Sequence, residues 1–579
     1  MKKETIGWGL VGVAALGLFA CGTIGFLQAD FLPLNALYSA IQLFVLECPG
    51  ECENNLLINI ARFFSPLLLA LTAIFSFIRA LQKRQHDWKL SHLKNHVVIC
   101  GLGRKGHELA RRLMPDDKVV IIERDENNDY AETCQDAGAF FLCGDAAEAA
   151  MLKKARIEFA REAYLFTGSD GSNFSSLVTL ASLCSNKEPD AKKISVWLHL
   201  KTLEMCSFLR NEKIIESVRK KVELQAVNLF ETAARDLVIN HLVPLLPVRP
   251  DDKRRIHLIQ IGFGRMGQAI VRKLAQTAVT VNYQVPKATI VSLNAQKDMD
   301  ALVGEIPQIQ SFCDLQAEDG DILRGGTRQR IAGMVRTALE TGEVPVICLA
   351  VNRQFTNVSA ALFLAELFKT EGFSRSDNVP LFVRQIESEG WTALVNDLSQ
   401  QEAGTYRHIK GFGDLSNLCS EESLNQSRLD RMALAVHQAY LDANNPEEKP
   451  THQSWEKLNW NTKQSNRLAV DHIRVKLRTI GLDCTEGVPG DPALFVKRVG
   501  KHQEELGRLE HCRWMTAKQL ANWTVGEKTD YKEKIHACLV KWEQLPEKEK
   551  QKDYSQILAI PDILRAGGYS IIAEGSIDE

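Results

Sequence analysis

The stretch that decides the fold of this chain is His96-Val97-Val98-Ile99-Cys100-Gly101-Leu102-Gly103-Arg104-Lys105-Gly106. An apolar run is followed by three glycines in the spacing of a tight turn, and a helical segment comes next. The same order returns in His257-Leu258-Ile259-Gln260-Ile261-Gly262-Phe263-Gly264-Arg265-Met266-Gly267. We interpret each as a strand, a turn and a helix start, the geometry that offers backbone N–H groups to a phosphate. Two copies in the same context are much stronger evidence than one glycine motif.

Apolar strands alternate with helical segments after the first glycine turn, at residues 118–122, 139–142 and 163–166. This alternation predicts an α/β fold with a doubly wound parallel sheet and a ligand at the carboxyl ends of the strands. Glu123 follows the second strand, about 20 residues after Gly103, where a dinucleotide fold places the acid that bonds a ribose. Asp145 ends the next strand at the same edge.

Residues 6–27 and 56–78 are apolar stretches long enough to cross a bilayer core of about 30 Å. Lys2 and Lys3 precede the first stretch and Arg79, Lys83, Arg84 and Lys89 follow the second, whereas the segment between the two holds no Lys or Arg and the second stretch itself contains Arg62. The positive-inside rule therefore predicts two transmembrane helices with both termini in the cytoplasm, and we expect the inner (plasma) membrane of a bacterium. A cleaved signal peptide at residues 1–28 is the alternative, although its apolar run exceeds a typical signal.

The apolar residues at 35–46 recur at helical spacing, which predicts a short re-entrant or interfacial helix between the spans. A span, a short helix and a second span resemble the pore module of potassium channels, but the sequence lacks their Thr-Val-Gly-Tyr-Gly filter. Cys48 and Cys52 lie in the segment expected outside the membrane, where a disulfide would close a very short loop. We therefore expect a pore-derived anchor that need not conduct potassium.

The composition limits the possible partners. The 579 residues are enough for several domains, and 70 basic residues stand against 72 acidic ones. Nucleic-acid-binding domains are usually basic, so we expect no nucleic-acid partner. The 14 cysteines form no Cys-x-x-Cys pair, and no metal site is predicted.

Residues 93–200 resemble the TrkA-N, or RCK (regulator of potassium conductance), domain. The resemblance rests on the glycine turn, Glu123 and three further motifs in order, Cys143-Gly144-Asp145-Ala146, Ala155-Arg156-Ile157 and Thr167-Gly168-Ser169-Asp170. It implies a regulatory adenine nucleotide, either NAD(H) or ATP/ADP. The implied cofactor-binding residues are Gly101, Gly103, Arg104, Gly106, Glu123 and Asp145.

The second copy matches this pattern less well. Its predicted strand at 288–293 ends in Asn294, which lacks the carboxylate that a ribose diol needs. We therefore expect nucleotide in the first copy only, with the second as a dimerising or degenerate partner. Residues 222–246, between the copies, are interpreted as helices that pack or swap.

A polar linker at 442–450 precedes a tryptophan-rich segment at 451–572 that resembles the bacterial RyR (ryanodine receptor repeat) domain. Glu510-His511-Cys512-Arg513-Trp514 and His536-Ala537-Cys538-Leu539-Val540-Lys541-Trp542 carry the resemblance. Indole faces stack on bases and arginine pairs with phosphate, so a ligand pocket is one interpretation. The core of a small helical domain is the other. The candidate ligand-binding residues are Trp455, Asn466, Arg467, His511, Arg513, Trp514, Trp523, His536 and Trp542.

These observations predict four domains: a membrane anchor at 1–90, a first RCK-like domain at 93–250, a degenerate second at 254–440 and an RyR domain at 451–579. The expected function is a membrane-anchored, homo-oligomeric (dimeric or tetrameric) sensor of a nucleotide-like small molecule, resembling RCK-regulated potassium channels or transporters. An antiphage-type effector that permeabilises the membrane on cyclic nucleotide binding is an alternative. An NAD-dependent oxidoreductase is disfavoured, because no catalytic Tyr–Lys or His–Asp pair accompanies the fingerprint, and we expect no enzyme.

Overall fold

The part of the chain described by the computed structural model has several short gaps. It comprises residues 2–48, 55–186, 193–202, 205–206, 209, 215–373, 379–386, 390, 393–395, 397, 405–406, 408–442, 452–487 and 490–575. Cys52 and most of the expected linker, residues 443–450, lie outside the described residues. Within them the predicted fold class is confirmed: two long apolar helices, two parallel-sheet α/β domains and a mostly helical C-terminal domain.

Three helices form the N-terminal part: α1 (Lys2–Gln28), α2 (Pro33–Gln42) and α3 (Leu56–Ser91). Two segments within them, Gly9–Gln28 and Leu56–Ile78, are long and apolar enough to cross a membrane. Asn55 joins them, because its Oδ1 accepts from the N–H of Leu57 at 2.9 Å while its Nδ2 donates to the carbonyl of Gly25 at 3.2 Å. The short helix expected between the spans is present as α2.

Helix α3 does not end at the predicted membrane boundary. It continues to Ser91, and Leu90 is buried in the core of the first α/β domain. The sequence from Arg79 onward is polar but helix-forming, with no proline or glycine before Ser91. One uninterrupted helix therefore connects the second apolar segment to the domain that carries the first glycine turn.

Among the described residues, six parallel strands form the first sheet in the order β3-β2-β1-β4-β5-β6. Helices connect the strands and cover both faces. The elements are β1 (Val97–Cys100), α4 (Arg104–Leu113), β2 (Val119–Glu123), α5 (Ala131–Asp136), β3 (Phe140–Cys143), α6 (Ala149–Lys154), β4 (Glu162–Leu165), α7 (Asp170–Leu183), β5 (Ser195–His199), α8 (Glu216–Arg219) and β6 (Glu223–Val227).

The second sheet has the same strand order, with β7, β8 and β9 in the places of β1, β2 and β3. Its elements are β7 (Ile256–Ile261), α10 (Arg265–Thr277), β8 (Lys287–Ser292), α11 (Ala295–Glu305), β9 (Asp314–Asp319), α12 (Gly325–Glu340), β10 (Val344–Leu349), α13 (Gln354–Thr370), β11 (Leu381–Arg384) and β12 (Ile409–Phe412). The two glycine turns thus start equivalent domains.

The segment between the domains differs from the helical prediction for residues 222–246. Its first part is strand β6, because Leu224 and Val227 pair in parallel with Val196 and His199 of β5. Helix α9 (Leu229–Asp236) follows and continues as a π-helical turn at Leu237–Leu242. This helix packs on α10, and both domains share one apolar core around it.

The C-terminal domain is built from helices with two small two-stranded sheets, one antiparallel and one parallel. Its elements are α16 (Ser427–Asp442), α17 (Trp460–Asp471), α18 (Ile473–Thr479), β13 (Leu482–Glu486), α19 (Pro492–Gln519), β14 (Thr524–Val525), β15 (Ile535–His536), α20 (Glu547–Leu558), α21 (Ile560–Ala566) and β16 (Tyr569–Ala573), after the short helices α14 (Leu415–Leu418) and α15 (Glu421–Asn425). Helix α16 precedes the expected linker, yet it packs in this core through Met432 and Val436.

A buried ion cluster fastens the C-terminal domain to the rest of the protein. The Asp471 carboxylate, 3% exposed, accepts from Arg235 of α9 at 2.7 Å and from Lys273 of α10 at 2.5 Å. Burial opposes ionisation of Asp471, but these two cations hold its pKa below the usual value. We call Arg235, Lys273 and Asp471 the Asp471 cluster. It joins the linking helix, the second α/β domain and the C-terminal domain.

Candidate ligand-binding sites

The first glycine turn joins β1 to α4 at the carboxyl end of the first sheet. Gly101 has a φ of +98°, and a Cβ there would lie 2.7 Å from Thr167 Cα. A Cβ at Gly106 would lie 2.0 Å from the carbonyl oxygen of Gly101. At Gly103, just before α4, a Cβ would meet no described atom within 4 Å. The turn therefore needs glycine at two positions for its own packing and leaves space at the third, where a phosphate fits.

Glu123 lies beside this turn, where the sequence places it. Its Oε2 accepts from the N–H of Leu102 at 2.6 Å, and its Oε1 accepts from the N–H of Asp125 at 3.1 Å. These bonds fix the carboxylate without exhausting it, because a carboxylate has about four lone-pair sites. The turn and Glu123 together fit the phosphate and ribose of an adenine nucleotide.

The other two predicted side-chain contacts of this site are Arg104 and Asp145. Arg104 begins α4 and is exposed. Asp145 follows β3, forms an ion pair with Arg124 and accepts from the N–H of Ala147 at 2.9 Å. The bond from Ala147 lowers the pKa of Asp145, and Arg124 acts in the same direction. Asp145 is therefore an ionised carboxylate that holds Arg124 at this edge of the sheet.

The second glycine turn has a different residue at the ribose position from the one predicted. Cys100 pairs with Ile122 in the first sheet, and Ile261 pairs with Val291 in the second. The structural counterpart of Glu123 is therefore Ser292, not Asn294, because β8 ends at Ser292 and not at residue 293. Ser292 Oγ donates to Asp298 Oδ2 at 2.6 Å. The carboxylate is missing at this position, as expected, but a neutral hydroxyl replaces it.

A cavity of about 460 Å³ lies in the C-terminal domain between α16, α17, α19, α20 and the loop before β15. Five of the nine predicted ligand-binding residues line it: Asn466, His511, Arg513, Trp514 and His536. The same wall includes Lys518, Lys552, Asp553 and Gln556, which the sequence analysis did not single out as contacts. The structure therefore brings together residues from four separate segments.

Charged groups support the floor of this cavity. Glu510, 1% exposed, accepts from Arg513 Nη2 at 2.6 Å and pairs with Lys476 Nζ at 2.6 Å. Burial would raise the pKa of Glu510, but Arg513 and Lys476 lower it to about 2. Beside them, burial raises the pKa of Asp553 well above its usual value, and the charge of Glu510 adds to this. The floor thus contains one ionised and one protonation-prone carboxyl group.

Three polar atoms at this cavity have no hydrogen-bond partner among the residues that the structure describes. They are Arg513 Nη1, Asn466 Nδ2 and Gln556 Oε1. All three are buried, and buried polar groups in folded proteins are nearly always bonded. Two are donors and one is an acceptor, so the cavity has unmet capacity for a polar ligand.

Aromatic rings form one side of the cavity. The Trp514 indole lies 4.8 Å from the His536 ring and 5.7 Å from the His511 ring, between centroids. Burial lowers the pKa of His536 to about 4, and Lys518 acts in the same direction. Burial likewise lowers the pKa of Lys518 to about 8, followed by the effect of Arg513. At neutral pH this side therefore offers a neutral imidazole and a largely protonated amine.

The remaining four predicted residues do not line this cavity. Arg467 makes two bonds to Asp430 of α16, at 2.6 and 2.9 Å, and so joins two helices. Trp455 packs against the domain core beneath Lys463, Trp523 lies under Lys518, and Trp542 is 4% exposed against Tyr554. Their contacts are those of packing residues, the second interpretation that the sequence allowed for the tryptophans.

Comparisons with known proteins agree with this architecture. A model of the TrkA-N domain matches residues 97–224, and a model of the RyR domain matches residues 495–573. An uncharacterized protein of Methanothermus fervidus is 36% identical over 86 residues, which are 15% of this chain and 14% of that protein. Potassium channel protein 1 of Methanocaldococcus jannaschii is 34% identical over 86 residues, or 15% of this chain and 26% of that protein.

One solved structure, described as the GsuK channel bound to NAD, aligns with 85% of this chain and 88% of its own, at 14% identity and a TM-score of 0.40. The two curated relatives, by contrast, are matched over no more than about a quarter of their length. The chain contains a TrkA-N domain at residues 97–224 and an RyR domain at residues 495–573.

Proposed function

We propose that this protein is a membrane-anchored ligand sensor whose RyR domain holds a nucleotide-like molecule. The observation that carries the proposal is the set of three unpartnered polar atoms on Arg513, Asn466 and Gln556, three residues that line one cavity. Leaving each of them unbonded costs about 1–3 kcal/mol. A ligand with matching acceptors and a donor removes that cost.

The chemistry of the cavity favours a nucleotide-like ligand over a purely apolar one. A guanidinium N–H and the amine of Lys518 suit a phosphate, and the Trp514 face suits a base. A volume of about 460 Å³ is in the range of small-molecule sites. Since Glu510 is held in ion pairs, we assign the site to recognition rather than catalysis, and we propose no enzymatic activity.

The response would travel through the rigid contacts of the fold. The Asp471 cluster joins the RyR domain to α9 and α10, and the shared core joins both α/β domains. Helix α3 then leads from the first domain into an apolar segment. We propose a homo-oligomer in a bacterial inner membrane, with both termini cytoplasmic and ion movement, as in potassium channels or transporters, as the output.

We also propose that the TrkA-N domain binds an adenine nucleotide, NAD(H) or ATP/ADP, as a regulator, and that the second α/β domain binds it weakly or not at all. The open position at Gly103 and the fixed carboxylate of Glu123 support this assignment. Ser292, in the second domain, cannot act as a bidentate acceptor for a ribose diol.

Replacing Glu123 by alanine should weaken nucleotide binding by about 1–3 kcal/mol, because a ribose hydroxyl loses its charged acceptor. Isothermal titration of the purified full-length protein with ADP and NAD measures this. Ser292→Ala, at the equivalent position of the second domain, is the matched control and should bind as the wild type does. Equal affinity in the wild type and Glu123→Ala would refute the ribose assignment.

The RyR assignment is tested by the compounds that the purified full-length protein releases on denaturation, identified by mass spectrometry. We expect a compound with a nucleobase and a phosphate. Asn466→Leu keeps the branching and the number of heavy atoms of the side chain but removes a donor, so its affinity for this compound should fall by about 1–3 kcal/mol, or roughly 5- to 150-fold.

Two comparisons complete this experiment. Glu123→Ala should retain the compound if it comes from the RyR cavity, since Glu123 lies in another domain. Release of the same amounts by Asn466→Leu and the wild type, with unchanged affinity on titration, would contradict the RyR site.

A further inference from the structure

Two basic side chains from different α/β domains share one aromatic ring. Lys105 Nζ lies 5.1 Å from the centroid of the Phe230 ring, and Arg384 Cζ lies 5.5 Å from the same centroid. Lys105 is in the first turn of α4, Arg384 ends β11 of the second domain, and Phe230 belongs to α9 between them. The two cations therefore lie against the same ring where the domains join, beside the first glycine turn.

The amine of Lys105 has a neutral partner. His199 Nδ1 lies 3.3 Å from the carbonyl oxygen of Val227, so this nitrogen donates and Nε2 is left to accept from Lys105 Nζ. Burial lowers the pKa of Lys105 to about 7, and the charges of Lys201 and Arg384 act in the same direction. The ammonium group of Lys105 has three N–H donors, and His199 Nε2 accepts from one of them. The other two can bond to another acceptor.

Within the part of the chain that the structure describes, neither Lys105 nor Arg384 bonds to a carboxylate. Asp170 acts on Lys105 at longer range, but it already accepts from the N–H of Lys201, the N–H of Thr202 and the hydroxyl of Thr202, at 2.8, 3.0 and 2.8 Å. Cations are also disfavoured at the N-terminal end of a helix such as α4. An anion bound by Lys105 and Arg384 would supply the negative charge that they lack. It would also offset the unfavourable position of a cation at the N-terminal end of α4.

The position of this pair relative to Glu123 indicates which part of a ligand it meets. In the sheet order, β2 lies on one side of β1 and β5 lies on the other, beyond β4. Glu123 ends β2, whereas His199 ends β5. A ligand with its ribose at Glu123 and its first phosphate at α4 therefore extends toward Lys105 and Arg384.

We propose that the TrkA-N site takes a nucleoside di- or triphosphate rather than a dinucleotide, with its terminal phosphate held between Lys105 and Arg384. The proposal rests on the adenine-nucleotide site proposed above and selects between its two ligand classes. A dinucleotide would place a ribose and a nicotinamide ring, which is neutral in NADH and cationic in NAD+, against these cations, whereas a terminal phosphate pairs with both. The bound phosphate would also connect the two α/β domains directly.

The second glycine turn offers a natural comparison. Its counterpart of Lys105 is Met266, which is 3% exposed in the shared apolar core. Lys105→Met therefore places in the first turn a residue that the second turn accommodates. Arg384→Gln removes the other cation without changing the glycine turn.

Titration calorimetry of the full-length protein with ADP, AMP and NAD tests the proposal, with every variant made in the Asn466→Leu background so that the RyR cavity contributes equally. We expect ADP to bind at least tenfold more tightly than AMP or NAD. Lys105→Met and Arg384→Gln should each reduce ADP affinity at least fivefold and leave AMP affinity unchanged. Arg324→Gln, an exposed position 3.9 Å from Asp321, is the control.

The outcomes separate this proposal from the one on which it rests. Two results would contradict the terminal-phosphate site but not the adenine-nucleotide site. One is NAD binding as tightly as ADP, and the other is a ratio of ADP affinity to AMP affinity that neither substitution changes. Failure of all three nucleotides to bind would overturn both. Arg384→Gln remains informative if Lys105→Met does not fold.

Discussion

We expect Glu510→Gln to lower the free energy of unfolding of the C-terminal domain by about 3–5 kcal/mol. Glu510 is the shared partner of Arg513 and Lys476, and the side chains of both cations are 3% exposed. The neutral amide leaves two buried positive charges without the carboxylate to which both are bonded. Urea unfolding followed by tryptophan fluorescence measures the loss, because Trp514, Trp523 and Trp542 all lie in this domain.

Glu505→Gln is the matched control, since Glu505 is on the same helix but its side chain is 31% exposed beside His502. It should change stability by less than about 1 kcal/mol. Adding Lys476→Met to Glu510→Gln should recover part of the loss, because one stranded cation is removed. Equal stability of Glu510→Gln and Glu505→Gln would contradict this description of the cavity floor.

The same ion pairs predict that the free energy of unfolding of this domain decreases in acid. The pKa of Glu510 is about 2 in the fold, below its ordinary value of 4.5. The stabilisation is therefore complete above about pH 4.5 and is lost as the pH falls through 2. Unfolding measured across this range should show a smaller acid dependence in Glu510→Gln than in the wild type.

The second large effect is expected from Asp471→Asn, which removes the central charge of the Asp471 cluster. Lys273, with 9% of its side chain exposed, would lose its counter-charge, while the more exposed Arg235 can turn toward water. The substitution should therefore weaken the contact between the RyR domain and the two α/β domains by about 3–5 kcal/mol. In calorimetry, we expect one thermal transition for these domains in the wild type and two transitions in Asp471→Asn.

Asp562→Asn is the control for this experiment, because Asp562 pairs with Arg565 on the surface with 72% of its side chain exposed. It should leave the calorimetric profile unchanged. A profile of Asp471→Asn that matches the wild type would mean that other contacts, such as Arg249 with Glu574, hold the domains together.

The features that sequence reasoning found were local ones. The glycine turns and the alternation of strands and helices depend on neighbours a few residues away, and Glu123 at the end of β2 was found from its position about 20 residues after Gly103. Ser292 was missed because the end of β8 is set by pairing with β7, which spacing along the chain does not reveal. Strand β6 was read as helix for the same reason.

The ligand sites were only partly predictable because their walls come from distant segments. Asn466 and Gln556 line the same cavity, although 90 positions separate them in the sequence. Arg467 has the residue type of a phosphate contact, yet its partner is Asp430, on a helix before the linker. Lys105 and Arg384 contact the same Phe230 ring only because α9 packs between the two domains. Residue type suggested the chemistry, and tertiary packing decided which residues share a site.

Potassium efflux from vesicles that contain the purified full-length protein tests the central claim most directly. The compound that mass spectrometry identifies is added, and the wild type is compared with Asn466→Leu and Asp471→Asn. The account predicts efflux that depends on the compound in the wild type, a response shifted to higher concentration in Asn466→Leu, and a weakened response in Asp471→Asn despite retained binding. Efflux that ignores the compound, or that is identical in all three proteins, would contradict it.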